Sequence, residues 1–239
     1  MTEALVGFVR AHTRLAAPPL VPEITVHLAD DIVALWERME AELGRSGLAP
    51  PFWAAAWAGG QALARYVLDM PALVAGRAVL DLASGCGIVA IAAAAAGAAR
   101  VTAVEIDEHA VAAIGLNTAA NGVAVDRVLG DVLDEASTDA EVVLAGDVCY
   151  DRTMTQRVLP YLARARAGGS DVLLGDPGRA YLPTDRLAAL AAYDVPVPEM
   201  EGADSRRTTV WRLRRADEEA APVAHRGSGT SRRLTELMQ

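Results

Sequence analysis

Short apolar runs alternate with longer segments in which apolar residues recur three or four positions apart, from about residue 77 to residue 214. The short runs indicate buried strands and the longer segments indicate helices. The expected strands are 77–82, 101–105, 125–129, 141–146, 171–175, 193–197 and 207–214, and the expected helices are 88–98, 108–121, 152–167 and 183–192. This alternation predicts an α/β fold with a doubly wound, Rossmann-like sheet of seven strands. The last two strands are expected to form a hairpin, so the sheet is mostly parallel with one antiparallel edge strand.

The N-terminal region has a different pattern. Residues 2–15 have the pattern of a short helix that the following prolines end, and residues 24–28 alternate between apolar and polar side chains as in a half-buried strand. Asp30 or Asp31 is placed to cap a further helix that ends near Gly44.

We therefore divide the chain into three parts: an N-terminal extension packing on the core (1–50), the main domain (51–215), and a polar tail (216–239) with the composition of a disordered segment. With 239 residues, 52% of them hydrophobic, the chain can bury one full core. No apolar run is long enough to cross a bilayer and the N-terminus lacks a signal pattern, so we expect a cytoplasmic protein without membrane association. The net charge of −9 disfavours a nucleic-acid partner. We expect a monomer.

A glycine turn follows the first strand of the main domain. The strand contains Asp81 and leads into Gly85 and Gly87, and the next strand ends at Glu105. The glycines let the backbone approach a ligand closely, and the N–H groups of the following helix can bind its polar end. A carboxylate at the end of the second strand can accept hydrogen bonds from both hydroxyls of a ribose. The combination predicts a cofactor that contains adenosine.

Two cofactors fit this glycine pattern. Gly85-x-Gly87-x-x-Ala90 also satisfies the dinucleotide fingerprint. Asp81, however, can bind the ammonium group of S-adenosylmethionine, whereas it would repel the pyrophosphate of NAD. An NAD-dependent dehydrogenase is disfavoured further because the chain contains no lysine for a tyrosine–lysine pair. A glycine turn that only packs helix on strand is the structural alternative, and it does not explain Asp81 and Glu105 together.

Other candidate residues follow the remaining strands, where ligands bind in such sheets. Asp131 can accept a hydrogen bond from an adenine amino group, or it can be a solvated turn residue. Asp147 follows a buried apolar strand, and Asp151 is better placed than Asp147 to cap the next helix. Arg179, in a turn after the fifth strand, can bind a substrate carboxylate or be solvated.

Aromatic residues are scarce, at 5% of the chain, yet three lie close together between residues 52 and 57. Trp57 precedes two glycines and a helix, so it can lie over an adenosine or line a pocket. The alternative is a tryptophan cluster that joins the N-terminal helices to the sheet, and this alternative suits Trp53 better.

The chain resembles the class I, seven-β-strand methyltransferases, and among them the electron transfer flavoprotein β-subunit lysine methyltransferases and their bacterial relatives. The resemblance covers about residues 6–213 and rests on Phe52-Trp53, Trp57-Ala-Gly-Gly-Gln-Ala-Leu, Leu80-Asp-Leu-Ala-Ser-Gly-Cys-Gly, Asp147-x-x-Tyr150 and Gly175-Asp-Pro-Gly-Arg. The chain departs from the family at three positions, because Ala58 stands where proline is usual, Ala83 where glycine is usual, and Val132 where related enzymes often have an aromatic residue. These departures affect the fit of the cofactor more than the type of reaction.

The resemblance implies an enzyme that transfers a methyl group from S-adenosyl-L-methionine to a protein lysine, without a metal. The implied catalytic residues are Asp147, which holds and orients the amine, and Tyr150. The implied cofactor-binding residues are Trp57, Asp81, Ala83, Gly85, Gly87, Glu105, Asp131 and Gly146. The expected partner is a protein substrate such as the electron transfer flavoprotein β subunit.

Two alternatives stay open. The first is methylation of a small amine or a heteroaromatic nitrogen, since one fold hosts many substrates. The second is a module that binds S-adenosylmethionine without catalysis, which the retention of both Asp147 and Tyr150 disfavours.

Overall fold

The computed structural model describes residues 3–136, 138–197 and 204–215. Its helices are α1 (Glu3–His12), α2 (Ile32–Leu43), α3 (Ala58–Asp69), α4 (Ile88–Ala95), α5 (Glu108–Ala120) and α6 (Arg152–Ala167), and single turns of 3₁₀ helix occur at Phe52–Ala54, Pro71–Leu73 and Thr184–Arg186. The strands are β1 (Arg14–Ala16), β2 (Val26–Leu28), β3 (Ala78–Leu82), β4 (Arg100–Glu105), β5 (Asp126–Leu129), β6 (Val142–Gly146), β7 (Asp171–Asp176), β8 (Leu187–Pro196) and β9 (Ser205–Leu213).

Seven strands form one sheet in the order β5-β4-β3-β6-β7-β9-β8. The first five are parallel, and β9 is antiparallel to both of its neighbours, β7 and β8. The predicted α/β fold, with a mostly parallel sheet and an antiparallel hairpin at one edge, is confirmed. The order reverses between β3 and β6, so the carboxyl ends of β3, β4 and β6 lie at the position where ligands bind in open α/β sheets.

Alternate residues of each strand pack on opposite faces of this sheet. Val79 of β3 belongs to a cluster with α3 and α4, whereas its neighbour Leu80 belongs to a cluster with α6. Val142 and Val143 of β6 divide between the two clusters in the same way. Since both faces are covered, β6 is apolar along its length, as is typical of parallel sheets, whereas β3 contains the buried Asp81.

Side-chain caps fix several helix ends where the sequence places them. Asp31 caps α2 by accepting from the N–H groups of Val33 and Ala34, and the helix ends at Gly44, whose φ is +59°. Asp151 caps α6 by accepting from Met154 N at 2.9 Å. The prediction that Asp151, and not Asp147, caps this helix is confirmed.

Two predicted elements need correction. The helix predicted at 183–192 is wrong, because Leu187–Pro196 is a strand paired with β9 along its whole length. Alanine favours helix here, but pairing with β9 determines the structure of the segment. The helix predicted at 2–15 ends at His12, and residues 14–16 form β1 instead, paired with β2. The predicted tail at 216–239 lies outside the described residues.

The N-terminal segment packs against α5. Asn117 of α5 is fully buried, accepts from His27 N at 2.7 Å and donates to the carbonyl of Cys86 at 2.8 Å. Asn121 exchanges two hydrogen bonds with the backbone of Thr25, at 3.0 and 2.6 Å. These two amides therefore join strand β2 to α5, and Asn117 also joins it to the glycine turn. Among the described residues, no helix is long and apolar enough to span a bilayer.

Candidate active site

The turn between β3 and α4 follows a left-handed backbone path. Ala83, Gly85 and Gly87 have φ values of +53°, +57° and +81°. A Cβ at Gly85 would meet no atom within 4 Å, so open space lies beside this backbone. At Gly87, a Cβ would come within 3.1 Å of Ile114, which explains the second glycine by packing. The turn thus leaves room for a ligand at Gly85, and Ala83 adopts a conformation that glycine would adopt without strain.

Asp81 supports this turn from beneath. It is 1% exposed, and its Oδ2 accepts hydrogen bonds from the Ser84 hydroxyl and from Ala90 N, the latter at 3.0 Å. Burial raises the pKa of the carboxyl to about 7. Asp81 therefore caps the first turn of α4 from the neighbouring strand. Its predicted contact with the ammonium group of the cofactor stays a prediction.

Glu105, at the end of β4, joins the same turn. Its Oε1 accepts from Gly85 N at 2.7 Å and its Oε2 accepts from Ile106 N at 3.0 Å. Burial is the main cause that raises the pKa of this carboxyl. Ile106, the next residue, is 74% exposed, and it is not among the site residues that the sequence predicts. The signal that could have identified it as a candidate site residue is an apolar side chain directly after the acid, where a turn residue is expected.

Asp147 follows β6 in an unusual backbone conformation, with φ at +54°. Its N–H donates to the carbonyl of Gly175 at 2.9 Å, and its side chain is 11% exposed. The Oδ2 atom accepts from Gly60 N at 3.0 Å, and Oδ1 accepts from Arg179 Nη2 at 2.9 Å. Burial raises the pKa of Asp147 to about 6, against the opposing effect of the Arg179 guanidinium. The structure therefore holds a carboxylate with a raised pKa at the end of β6.

Four glycines bring helix α3 into backbone contact with β6 and β7; we call this the glycine contact, and it consists of Gly59, Gly60, Gly146 and Gly175. A Cβ at Gly59 would lie 2.2 Å from the carbonyl oxygen of Gly175, and a Cβ at Gly175 would lie 2.0 Å from that of Gly59. A Cβ at Gly146 would lie 2.9 Å from the backbone of Gly60. This approach allows Gly60 N to reach Asp147. It gives Gly146, predicted as a cofactor residue, a packing role.

The last residue of β7 adds a second buried carboxyl group. Asp176 is 2% exposed, and its Oδ1 accepts from the N–H groups of Gly178 and Arg179, both at 2.7 Å. Its Oδ2 is buried without a hydrogen-bond partner in the described structure. Burial raises the pKa of Asp176. Arg179, predicted to bind a substrate carboxylate or be solvated, thus pairs with Asp147 instead, and no local pattern in the sequence indicates that ion pair.

Aromatic side chains line the rim near Asp147. The Phe52 ring lies 5.9 Å from Trp57 and 5.4 Å from Tyr150, between ring centroids, and Trp57 Nε1 donates to the Phe52 carbonyl at 2.7 Å. Phe52 and Tyr150 are 40% and 43% exposed. Burial is the main cause that raises the pKa of Tyr150, and the charges of Asp151 and Glu105 act in the same direction. Trp53 is instead buried beside His109 and the N-terminal helices, as one interpretation of the sequence held.

Asp131 follows β5, the strand at one edge of the sheet. Its Oδ2 pairs with Arg157 Nη1 at 2.7 Å, and its Oδ1 accepts from Leu133 N at 3.0 Å. The Arg157 guanidinium lowers the pKa of this exposed carboxyl. Its predicted contact with adenine stays a prediction.

The sheet order and the glycine turn define the class I methyltransferase fold. Residues 62–148 match a family model described as ribosomal protein L11 methyltransferase (PrmA). A proposed RNA methyltransferase from Pyrococcus horikoshii shares this fold, with a TM-score of 0.55 and 16% identity over 76% of this chain and 98% of that one.

The chain is 37% identical over 195 residues to the electron transfer flavoprotein beta subunit lysine methyltransferase of Xenopus laevis, covering 79% of this chain and 78% of the relative. It is 36% identical over 202 residues to the Rattus norvegicus protein of the same name, covering 80% and 77%. The chain therefore belongs to the electron transfer flavoprotein beta subunit lysine methyltransferase family. The predicted family, with S-adenosylmethionine as cofactor and an N-methyltransferase of the protein-lysine class, is confirmed.

Proposed function

We propose that this enzyme methylates a lysine side chain of an electron transfer flavoprotein β subunit. The observation that carries the proposal is Asp147, a largely buried carboxylate at the end of β6, the strand next to β3, which leads into the open glycine turn. The names of the relatives support the acceptor protein. We propose further that the enzyme acts as a monomer in the cytoplasm and does not bind nucleic acid.

The described residues fit S-adenosylmethionine, which supplies a methyl group on a positively charged sulfur. Gly85 offers open space beside its backbone, and Glu105 ends β4 with a carboxylate that can bind the ribose hydroxyls. Ile106 offers exposed apolar surface next to that carboxylate, and an adenine ring can pack there. Trp57, Asp81, Ala83 and Asp131 complete the proposed set.

The acceptor must be a neutral amine when it reacts. A bond forms between the lysine nitrogen and the methyl carbon, the bond from that carbon to sulfur breaks with its electron pair staying on sulfur, and the amine loses one proton to solvent. Ionised Asp147 can bind the arriving ammonium group and orient the amine after it loses its proton. Tyr150 and Phe52 can enclose the aliphatic part of the lysine, since both rings are partly exposed at the rim.

The test compares Asp147→Asn with the wild type on a purified electron transfer flavoprotein β subunit and labelled S-adenosylmethionine. The variant keeps the size of the side chain but removes its charge. We expect methyl transfer to fall by on the order of a hundredfold or more, while calorimetry shows little change in affinity for the cofactor. Loss of rate without loss of cofactor binding is what a role in the transition state requires.

Asp151→Asn is the matched control, because it removes a charge four positions away and retains a residue that caps helices well. It should leave the rate near that of the wild type. Full activity in Asp147→Asn would refute the catalytic assignment. Label that appears in small molecules instead of protein would favour a small-amine substrate, and no label in any acceptor would favour the binding module.

A further inference from the structure

The side chain of Arg179 already binds Asp147, the carboxylate that is proposed to bind the acceptor lysine. Arg179 Nη2 lies 2.9 Å from Asp147 Oδ1 and Arg179 Nε lies 3.4 Å from the same atom. The other oxygen of Asp147 accepts from Gly60 N. A lysine ammonium that is to bind Asp147 must therefore compete with the guanidinium for Oδ1. The side chains of Arg179 and Asp147 are only 26% and 11% exposed, respectively.

We propose that Arg179 is a gate on the acceptor side: its guanidinium closes Asp147 in the free enzyme, and the lysine ammonium displaces it on binding. The inference rests on the proposed function and assigns Arg179 a role in positioning and specificity. A cationic acceptor can replace one positive charge by another on Asp147, whereas a neutral acceptor would leave the guanidinium in place. The gate therefore favours lysine over uncharged nitrogen acceptors.

Asp176, the last residue of β7, offers a second carboxylate to the displaced guanidinium. Asp176 Oδ1 accepts from the backbone N–H of Arg179, and Asp176 Oδ2 is buried without a partner in the described part of the chain. Burial raises the pKa of Asp176, and the hydrogen bonds from the backbone and the positive charge of Arg179 oppose this rise. A rotation of the arginine side chain towards Asp176 would satisfy the buried oxygen while it frees Asp147.

Arg179→Gln should tighten acceptor binding, and the effect should grow from low to high pH. Four groups act on the pKa of Asp147 or face it: Arg179 from the loop after β7, Asp176 from the end of that strand, Gly60 N–H from α3, and Cys149. Without the guanidinium, the pKa of Asp147 rises above about 6, so near neutral pH a proton replaces the guanidinium as the competitor for the carboxylate and the gain in affinity is small. Well above that pKa, only the loss of the competitor remains, and the acceptor should bind more tightly.

The kinetic test measures KM for a purified electron transfer flavoprotein β subunit from pH 6.5 to pH 9. We expect the KM of Arg179→Gln to be close to that of the wild type at pH 6.5 and about three- to tenfold lower at pH 9. Arg207→Gln is the matched control, because Arg207 pairs with Asp194 at 3.0 Å on the exposed hairpin. A KM at pH 9 that is unchanged or higher in Arg179→Gln would overturn the gate.

A binding test keeps the gate separate from the identity of the acceptor. The arginine Nε signals of protein saturated with S-adenosylhomocysteine are followed by ¹⁵N NMR during titration with n-butylammonium chloride, and sodium chloride is the control. The signal that Arg179→Gln removes should shift with butylammonium and not with sodium. If it does not shift, the gate is wrong whatever the acceptor. If it shifts but the β subunit is not methylated, the gate stands and the assigned substrate fails.

Discussion

Gly59 and Gly60 are neighbours in α3, but the structure predicts opposite effects for the same substitution. In Gly59→Ala the new Cβ would lie 2.2 Å from the carbonyl oxygen of Gly175 and 2.5 Å from Asp147 Oδ2. The first of these atoms belongs to a central strand, so α3 must move away from the sheet. In Gly60→Ala the nearest atom is a methyl group of Ile88 at 3.4 Å, which is ordinary contact.

The magnitudes follow from the two environments. Overpacking costs about 1–3 kcal/mol, and a lost hydrogen bond to a charged group, here Gly60 N to Asp147, costs a further 1.5–3 kcal/mol or so. Alanine has a higher helix propensity than glycine, which stabilises the helix by up to about 1 kcal/mol. We therefore expect Gly59→Ala to lower the free energy of unfolding by at least about 1.5 kcal/mol. Gly60→Ala should change it little or raise it by up to about 1 kcal/mol.

Urea unfolding of both variants, with a check that the m-values agree, measures these differences. Methyl-transfer rates on the same samples should fall for Gly59→Ala at temperatures where it is still folded, because the N–H that orients Asp147 is displaced. The wild type and Gly60→Ala should behave alike in that assay. Equal stability of the two variants would refute the argument from the glycine contact.

Three further predictions concern the cofactor side of the site. Ala83→Gly relieves left-handed strain of about 1–2 kcal/mol and loses about 0.4–1 kcal/mol to the entropy of the unfolded chain, so thermal unfolding should show a net gain near 0.5–1 kcal/mol. Glu105→Ala should weaken binding of S-adenosylhomocysteine by roughly 1–3 kcal/mol in calorimetry. Substitution of the exposed Glu108 by alanine is the control and should not weaken it. If Glu105→Ala bound S-adenosylhomocysteine as tightly as the wild type, Glu105 would be excluded from the site. The pKa of Asp81 is raised to about 7, so between about pH 4 and pH 7 the folded state keeps a proton that the unfolded chain has lost, and this group makes stability fall as pH rises through that range. Asp81→Asn should flatten this dependence of stability on pH. An unchanged slope would contradict the raised pKa.

The contacts that the sequence predicts well are the local ones. Gly85, Gly87 and Glu105 lie in one strand–turn–helix–strand unit, so the spacing of residues predicts their proximity. The ion pair of Asp147 with Arg179 joins residues 32 positions apart in turns whose composition suggests solvent exposure. Pairing along β9 likewise makes the alanine-rich segment from Leu187 a strand, and no local pattern contains that information. Long-range contacts of this kind follow only from the assembled sheet.

The buried amide of Asn117 has a consequence for how the chain can be divided. One side chain accepts from the backbone of β2 and donates to the carbonyl of Cys86 in the glycine turn. A protein truncated at residue 50 would leave the acceptor of that amide unsatisfied within the core and uncover the face of α5. The boundary at residue 50 thus separates two sequence patterns but not two independent folding units. We therefore expect that exchange of the N-terminal segment between relatives requires compatible residues on both sides of this contact.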